Sequence, residues 1–180
     1  MKNVFLTISI FLFSLNLLAR VEGETEITTE DGIEVFQNEK FFLLKKNVRI
    51  ESDNFDLNAD NVKINFDKSL YDITELYAEG KVDFNSQEFE IRGNGNFLKF
   101  EVKIEKLKVE GQGSELVTND IEMYSDGFIE ISNLNGNFSL RGQNSKLVNK
   151  NIIIEAESID GNFTKMENEN EITFLDISDE

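Results

Sequence analysis

From about Thr25 onward the apolar residues of this chain recur at every second position, and that spacing decides what the chain can fold into. In NVRIESDNFDLNADNVKINFD, Val48 and Ile50 alternate with charged residues, a polar ESDN follows, and Phe55, Leu57 and Ala59 resume the alternation. A period of two puts alternate side chains on opposite faces of a strand, so the stretch reads as a hairpin with one oily side. KVDFNSQEFEIRGNG repeats the pattern: an offset of 34 residues superposes Val48, Ile50, Phe55 and Leu57 on Val82, Phe84, Phe89 and Ile91 without a gap.

Later copies follow at irregular intervals: Leu107, Val109 and Gly111; Phe138, Leu140 and Gly142; Ile152, Ile154, Ala156 and Ile159. The irregular spacing argues against a solenoid of identical rungs and for a string of similar hairpins. KFEVKIEKLKVEG, from Lys99, keeps strand spacing with one slip, which predicts a bulge. The small residue closing each unit (Ala59, Gly93, Gly111, Gly142, Ala156) suits either a corner between two packed sheets or a strand end. No stretch after the N-terminal segment has helical spacing, and proline is absent, so strand ladders can run without a missing donor. The expected fold class is all-β.

Composition narrows the chemistry. With 180 residues the chain has the size of one domain. Histidine and cysteine are both absent, which removes His-dependent triads, most zinc sites and any disulfide framework. The formal charge of -17 is unsuited to a phosphate-backbone partner, which needs a basic surface, so nucleic acid is excluded as a partner. Thirty-five Asp and Glu residues make chance carboxylate pairs common, and no spacing singles one out as catalytic; no D-x-D-x-D-G loop is present for calcium. No catalytic residue, metal site or cofactor is expected.

The first residues, MKNVFLTISIFLFSLNLLARVEGE, place Lys2 before an apolar run from Val4 to Ala19. That run, about 16 residues, falls short of the roughly 20 needed to span a bilayer and has the layout of a secretory signal. Residues 1–23 are expected to be a signal peptide cleaved after Ala19 or Gly23, with retention as an anchor the alternative; residues 24–180 form the domain.

Phenylalanine accounts for 16 residues, against three tyrosines and no tryptophan, and many of the phenylalanines fall on the alternating face. The predicted inner face comprises Val48, Ile50, Phe55, Leu57, Phe84, Phe89, Ile91, Val109, Phe138, Leu140, Ile152 and Ile154. These residues can pack on one another or can line a seam that shelters an acyl chain. Each methylene gains roughly 0.8 kcal/mol on leaving water, so a tail of about ten gains about 8 kcal/mol. Transfer from a bilayer into such a seam is close to neutral, so the seam can carry lipid without driving it. Both ends of the domain, EITTEDGIEVFQNEKFFLLKK and NEITFLDISDE, carry short alternating runs suited to strand addition.

The segments KNV (Lys46 to Val48), FDLNADNVKINFD from Phe55, LYAEGKVDF with Ala78, Gly80 and Val82, and FEIRGNGNFLKF resemble, in that order, the OstA-like family of the lipopolysaccharide-transport system. The resemblance covers about Ile27 to Phe163. Lys46 departs from it, standing where the family's hairpin usually opens with glycine. The resemblance implies an elongated antiparallel β-jellyroll, a V-shaped two-sheet trough holding acyl chains. Its implied partners are lipopolysaccharide and other OstA-like domains joined by end-to-end strand pairing, whether LptC-like, LptD-like or copies of itself. It further implies a periplasmic location in a Gram-negative bacterium and transport pushed by an energised inner-membrane complex. Headgroups would stay outside the trough, near rim cations such as Lys45, Lys46, Arg92 and Arg141. An inner-membrane-anchored member of the same system and a secreted adhesive β protein assembling through edge strands remain open readings.

Overall fold

The apolar alternation is realised as strands almost throughout. The structure is a computed structural model that describes residues 24–150, 152–165 and 170–179; the signal peptide expected at residues 1–23 lies outside the described residues. The strands are β1 (Glu26–Thr28), β2 (Ile33–Phe36), β3 (Phe41–Glu51), β4 (Phe55–Phe66), β5 (Ile73–Ser86), β6 (Ile91–Glu101) and β7 (Lys106–Glu110). They continue with β8 (Ser114–Val117), β9 (Ile121–Ser125), β10 (Phe128–Ser132), β11 (Asn137–Asn149), β12 (Ile152–Lys165) and β13 (Asn170–Ser178). Together they form a 13-stranded sheet whose main path runs β1, β3, β4, β5, β6, β7, β10, β11, β12, β13. Every pairing is antiparallel, as short connections require.

A line of register breaks crosses this sheet. Pairing shifts between Lys45 and Val48 in β3, between Asn58 and Asn61 in β4, between Glu79 and Val82 in β5, and between Arg141 and Ser145 in β11. On the same line the chain leaves strand geometry at 111–113, between β7 and β8, and at 126–127, between β9 and β10. Each long strand therefore has one half in each of two arms. In the first arm, for example, 61–66 of β4 pairs with 73–79 of β5; in the second, 55–58 pairs with 83–86. Inward side chains of both arms, Leu44, Val62, Leu98, Val109 and Ile129 from the first and Val48, Leu57, Phe84, Leu116 and Met123 from the second, share one buried cluster. A single sheet can bury one face in a single core only by folding over on itself, so the architecture is the V-shaped antiparallel β-jellyroll.

The corner has its own chemistry. Lys46 and Asn47 adopt φ of 63° and 50°, and Gly80 and Lys81 adopt 78° and 48°, the left-handed turn that swings a strand from one arm to the other. Asx side chains overlie glycines of the neighbouring strand. A Cβ on Gly80 would lie 2.3 Å from Asp60 Oδ2, one on Gly111 2.7 Å from Asn96 Cβ, and one on Gly142 2.2 Å from Asp126 Oδ1. Buried serines close the freed carbonyls: Ser114 Oγ donates to Gly111 O (2.7 Å), Ser125 Oγ to Arg141 O (2.7 Å) and Ser145 Oγ to Gly142 O (3.1 Å). Asn144 donates to Asp126 through its side-chain amide at 2.8 Å and its backbone N–H at 3.2 Å, which holds that carboxyl below its ordinary range.

Three local expectations are corrected. The slip after Lys99 is no bulge: a 3-10 turn at Val102–Ile104, closed by Glu105 at φ 46°, reverses the chain between β6 and β7 and leaves Val102 and Ile104 exposed. A tight reversal and a one-residue bulge break the alternation by the same step, so spacing could not separate them. Phe89 lies in the turn before β6 rather than in a strand. Among the small residues Gly93 is no corner: it sits inside β6 opposite Leu116, and a Cβ there would reach 2.5 Å from Glu115 O and 2.9 Å from the Phe84 ring.

Candidate functional site

The seam between the arms is lined on both sides by the alternating apolar set and is filled along its middle. Leu57, Val109 and Leu140 are completely buried there, and Val48, Ile50, Phe84, Ile91 and Phe138 nearly so. Phe55, Phe89 and Ile154 are half-buried against the same cluster. Ile152 falls on the inward parity of β12 but stands exposed at its end, beyond the cluster and uncovered by any strand among the described residues. The seam also holds residues outside the predicted set, among them Leu98, Leu107 and Phe100.

Toward the free ends of the arms the packing loosens. A cavity of about 50 Å³ is enclosed by Phe55, Phe84, Phe89, Ile91, Leu98, Phe100 and Leu107, with Ser86 and Asn133 at its edge. One liquid water occupies about 30 Å³, so this space cannot take an acyl tail unless its walls move apart. The wall that faces the mouth is aromatic. Phe89 comes from the turn ending the second arm and Phe100 from the end of the first, and their ring centroids are 6.1 Å apart, within the range of favourable aromatic pairs. The turn that leads into β6 thus meets the far end of that strand across the mouth.

Beside this clasp lies an open groove of about 440 Å³, floored by Phe89, Ile91, Ile121, Ile131 and Phe163 and rimmed by Glu88, Glu90, Asn119 and Asn133. It merges through Glu90, Ile91, Thr118, Asn119 and Ile121 with a polar groove of about 830 Å³ over the end of the second arm. Farther along the first arm, Phe138 stacks on Phe163 with centroids 4.5 Å apart and meets Phe174 edge-on at 6.5 Å.

The four rim cations separate. Lys45 pairs with Glu34 (2.8 Å), Lys46 with Glu30 (2.8 Å) and Arg141 with Asp160 (2.7 Å). Arg92 lines the polar groove, and its guanidinium has no ion-pair or hydrogen-bond partner among the described residues. No cluster of three or more metal-ligating side chains occurs among the described residues. None of the described helical segments is long and apolar enough to cross a membrane.

The family described as LptA/(LptD N-terminal domain) LPS transport protein matches residues 27–165. The chain belongs to this family. That match spans nearly the whole of the folded sheet, from β1 to the end of β12, so the lipopolysaccharide-transport family is established for the domain as a unit. Among curated proteins none matches. Among solved structures the chain is similar to LptH, described as the LptA homologous periplasmic component of the conserved lipopolysaccharide transport device from Pseudomonas aeruginosa. Identity is 8%, coverage is 86% of this chain and 95% of that one, and the TM-score is 0.52. At that identity the likeness establishes the shared fold.

The serines that follow the corner glycines, and Phe163, add to the residues expected from the alternation. GQGS (Gly111 to Ser114) and GQNS (Gly142 to Ser145) both build the corner, each pairing a glycine with the serine that caps its carbonyl. Phe163 sat outside the recognised alternation but forms part of the mouth.

Proposed function

We propose that this protein is an exported, periplasmic member of the lipopolysaccharide-transport system that shields acyl chains in the seam between its two arms and does no covalent chemistry. The observation that carries this reading is the seam itself: two facing apolar walls that meet at the mouth through a pair of aromatic rings from opposite arms. The lining proposed for the acyl chains is the inward set from Val48 to Ile154 together with Phe100. Occupancy requires the walls to part, and the methylenes that enter replace contacts between side chains with contacts to the tail. Net transfer from a bilayer is close to neutral, so direction must come from an energised partner.

A photocrosslinking phenylalanine analogue tests the lining. Placed at Phe89, Phe100 or Phe138 it is expected to capture lipopolysaccharide; at Lys99 or Ser139, on the outward parity, it is expected to capture at least ten-fold less. Equal capture on both faces would remove the seam from consideration.

End-to-end assembly is the second part of the proposal. The terminal strands keep their inward apolar residues uncovered: Ile27 pairs with Ile50, Ile33 with Leu44 and Val35 with Phe42, yet all three are exposed. At the other end Ile177, opposite the buried Ile159, is exposed as well. Another OstA-like domain adding a strand at either edge would cover these residues and extend the trough. Charging one edge by Ile33→Lys with Val35→Lys is expected to abolish concentration-dependent growth in light scattering while leaving the circular dichroism of the monomer unchanged. Undiminished growth would count against pairing through β2.

A further inference from the structure

We infer that the polar groove over the end of the second arm is a headgroup site for a neutral, polyhydroxylated glycosyl group, so that the mouth selects glycolipids by their heads as well as by their tails. The inference rests on the seam reading above. It adds a second site, with a different chemistry, to the apolar one.

The groove is contiguous with the mouth, so an amphiphile whose tail passes Phe89 has its head at Glu90, Thr118 and Asn119. Its wall is a cross-strand row on the outward face, in which Asn85 is paired with Arg92, Arg92 with Val117 and Val117 with Glu122. Asn85 and Gln87 supply amides that both donate and accept, as vicinal hydroxyls do, while Asn119 donates to Glu90 Oε2 (2.8 Å) and keeps its carbonyl oxygen and second N–H for a guest. The ionisable groups facing the space are Glu90, Asp120 and Glu122 against Arg92 and Lys150, an excess of acid that disfavours an anionic head on a chain already at -17. Carboxylates beside amides are suited instead to accepting sugar hydroxyls. Arg92 offers a planar fork of donors with no side-chain partner among the described residues. Below the rim the Thr118 hydroxyl is buried with no hydrogen-bond partner among the described residues, a rare condition that a polar guest would relieve once the 118–120 turn gives way to it.

The experiment holds the tail constant and varies the head. Dodecyl maltoside, dodecyl octaethylene glycol ether and dodecyl phosphate, each below its micelle concentration, are titrated calorimetrically into the wild-type chain and into Asn119→Ala and Arg92→Gln variants. The maltoside is expected to bind at least ten-fold more tightly than the glycol ether. Both variants should remove that advantage and leave ether binding unchanged, which also certifies that they fold. Equal affinity for maltoside and ether would overturn the inference while leaving the seam intact. Tightest binding by dodecyl phosphate, lost in Arg92→Gln, would overturn it in favour of an anion site, and a maltoside advantage untouched by both variants would place sugar recognition elsewhere. Failure of all three ligands to bind would bring down the seam reading, and this inference with it.

Discussion

A Phe89→Cys/Phe100→Cys variant, bridged by a short bis-methanethiosulfonate that forms a disulfide with each thiol and releases methanesulfinate, is expected to take up a fluorescent acyl ligand at least ten-fold more slowly than the unbridged variant, with full recovery on reduction of those disulfides. The reasoning is geometric. The two rings stand 6.1 Å apart and come from opposite arms, so a covalent tie holds the mouth shut. The small cavity behind them, about 50 Å³, cannot accept a tail while it stays shut. The native chain has no cysteine, so only the introduced thiols react. A matching tie between Phe36 and Phe41, whose rings stack at 4.4 Å within a single hairpin of the first arm, joins nothing across the mouth and should leave uptake unchanged. Uptake at the unbridged rate by the Phe89–Phe100 tie would mean that tails enter elsewhere.

The second large effect is expected at the corner. Gly80→Val places a β-branched residue at φ 78°, a conformation such residues rarely adopt, and drives its Cβ to 2.3 Å from Asp60 Oδ2 and 2.8 Å from Asp60 Cβ. Backbone strain of about 1–3 kcal/mol and overpacking of about 1–3 kcal/mol predict a loss of about 3 kcal/mol, seen as a fall in Tm of roughly 6–12 °C. Adding Asp60→Gly relieves the clash but not the torsion, so about half of the loss should return. A Tm within 2 °C or so of wild type would show that the corner tolerates a side chain and that the stacked Asx–Gly pairs are incidental.

What could be read in advance follows from what each feature leaves in the sequence. Alternation is written in residue types, so Val48, Ile50, Leu57, Phe84, Val109 and Leu140 were recognisable as one face and are gathered in one cluster. The hairpin repeat was legible for the same reason: turn 52–54 and turn 87–90 occupy equivalent places in it. Corners at Gly111 and Gly142 carried a glycine as a mark. Gly80 marks the β5 corner in the same way, but the corner at Lys46 and Asn47 has no glycine, and a positive φ on lysine is imposed by the surrounding ladders and leaves no compositional trace. The clasp was illegible because it joins the turn before β6 to the far end of that strand across space, and β6 had first to be bent at the corner before Phe89 and Phe100 could meet. The polar groove was hidden too: its residues come from β5, β6, the β8–β9 turn and β11, and no local pattern connects them.

The corner also governs how the molecule can move. The long strands cross it, so arms that separate need break no rung of either ladder, and the change is confined to a few torsions beside Asn47, Gly80 and Gly142. Widening at one hairpin tugs its neighbours through shared rungs. For the seam proposed above, a gap around a guest would therefore travel along the length of the sheet as a local swelling, closing behind as it opens ahead, with the spine intact throughout.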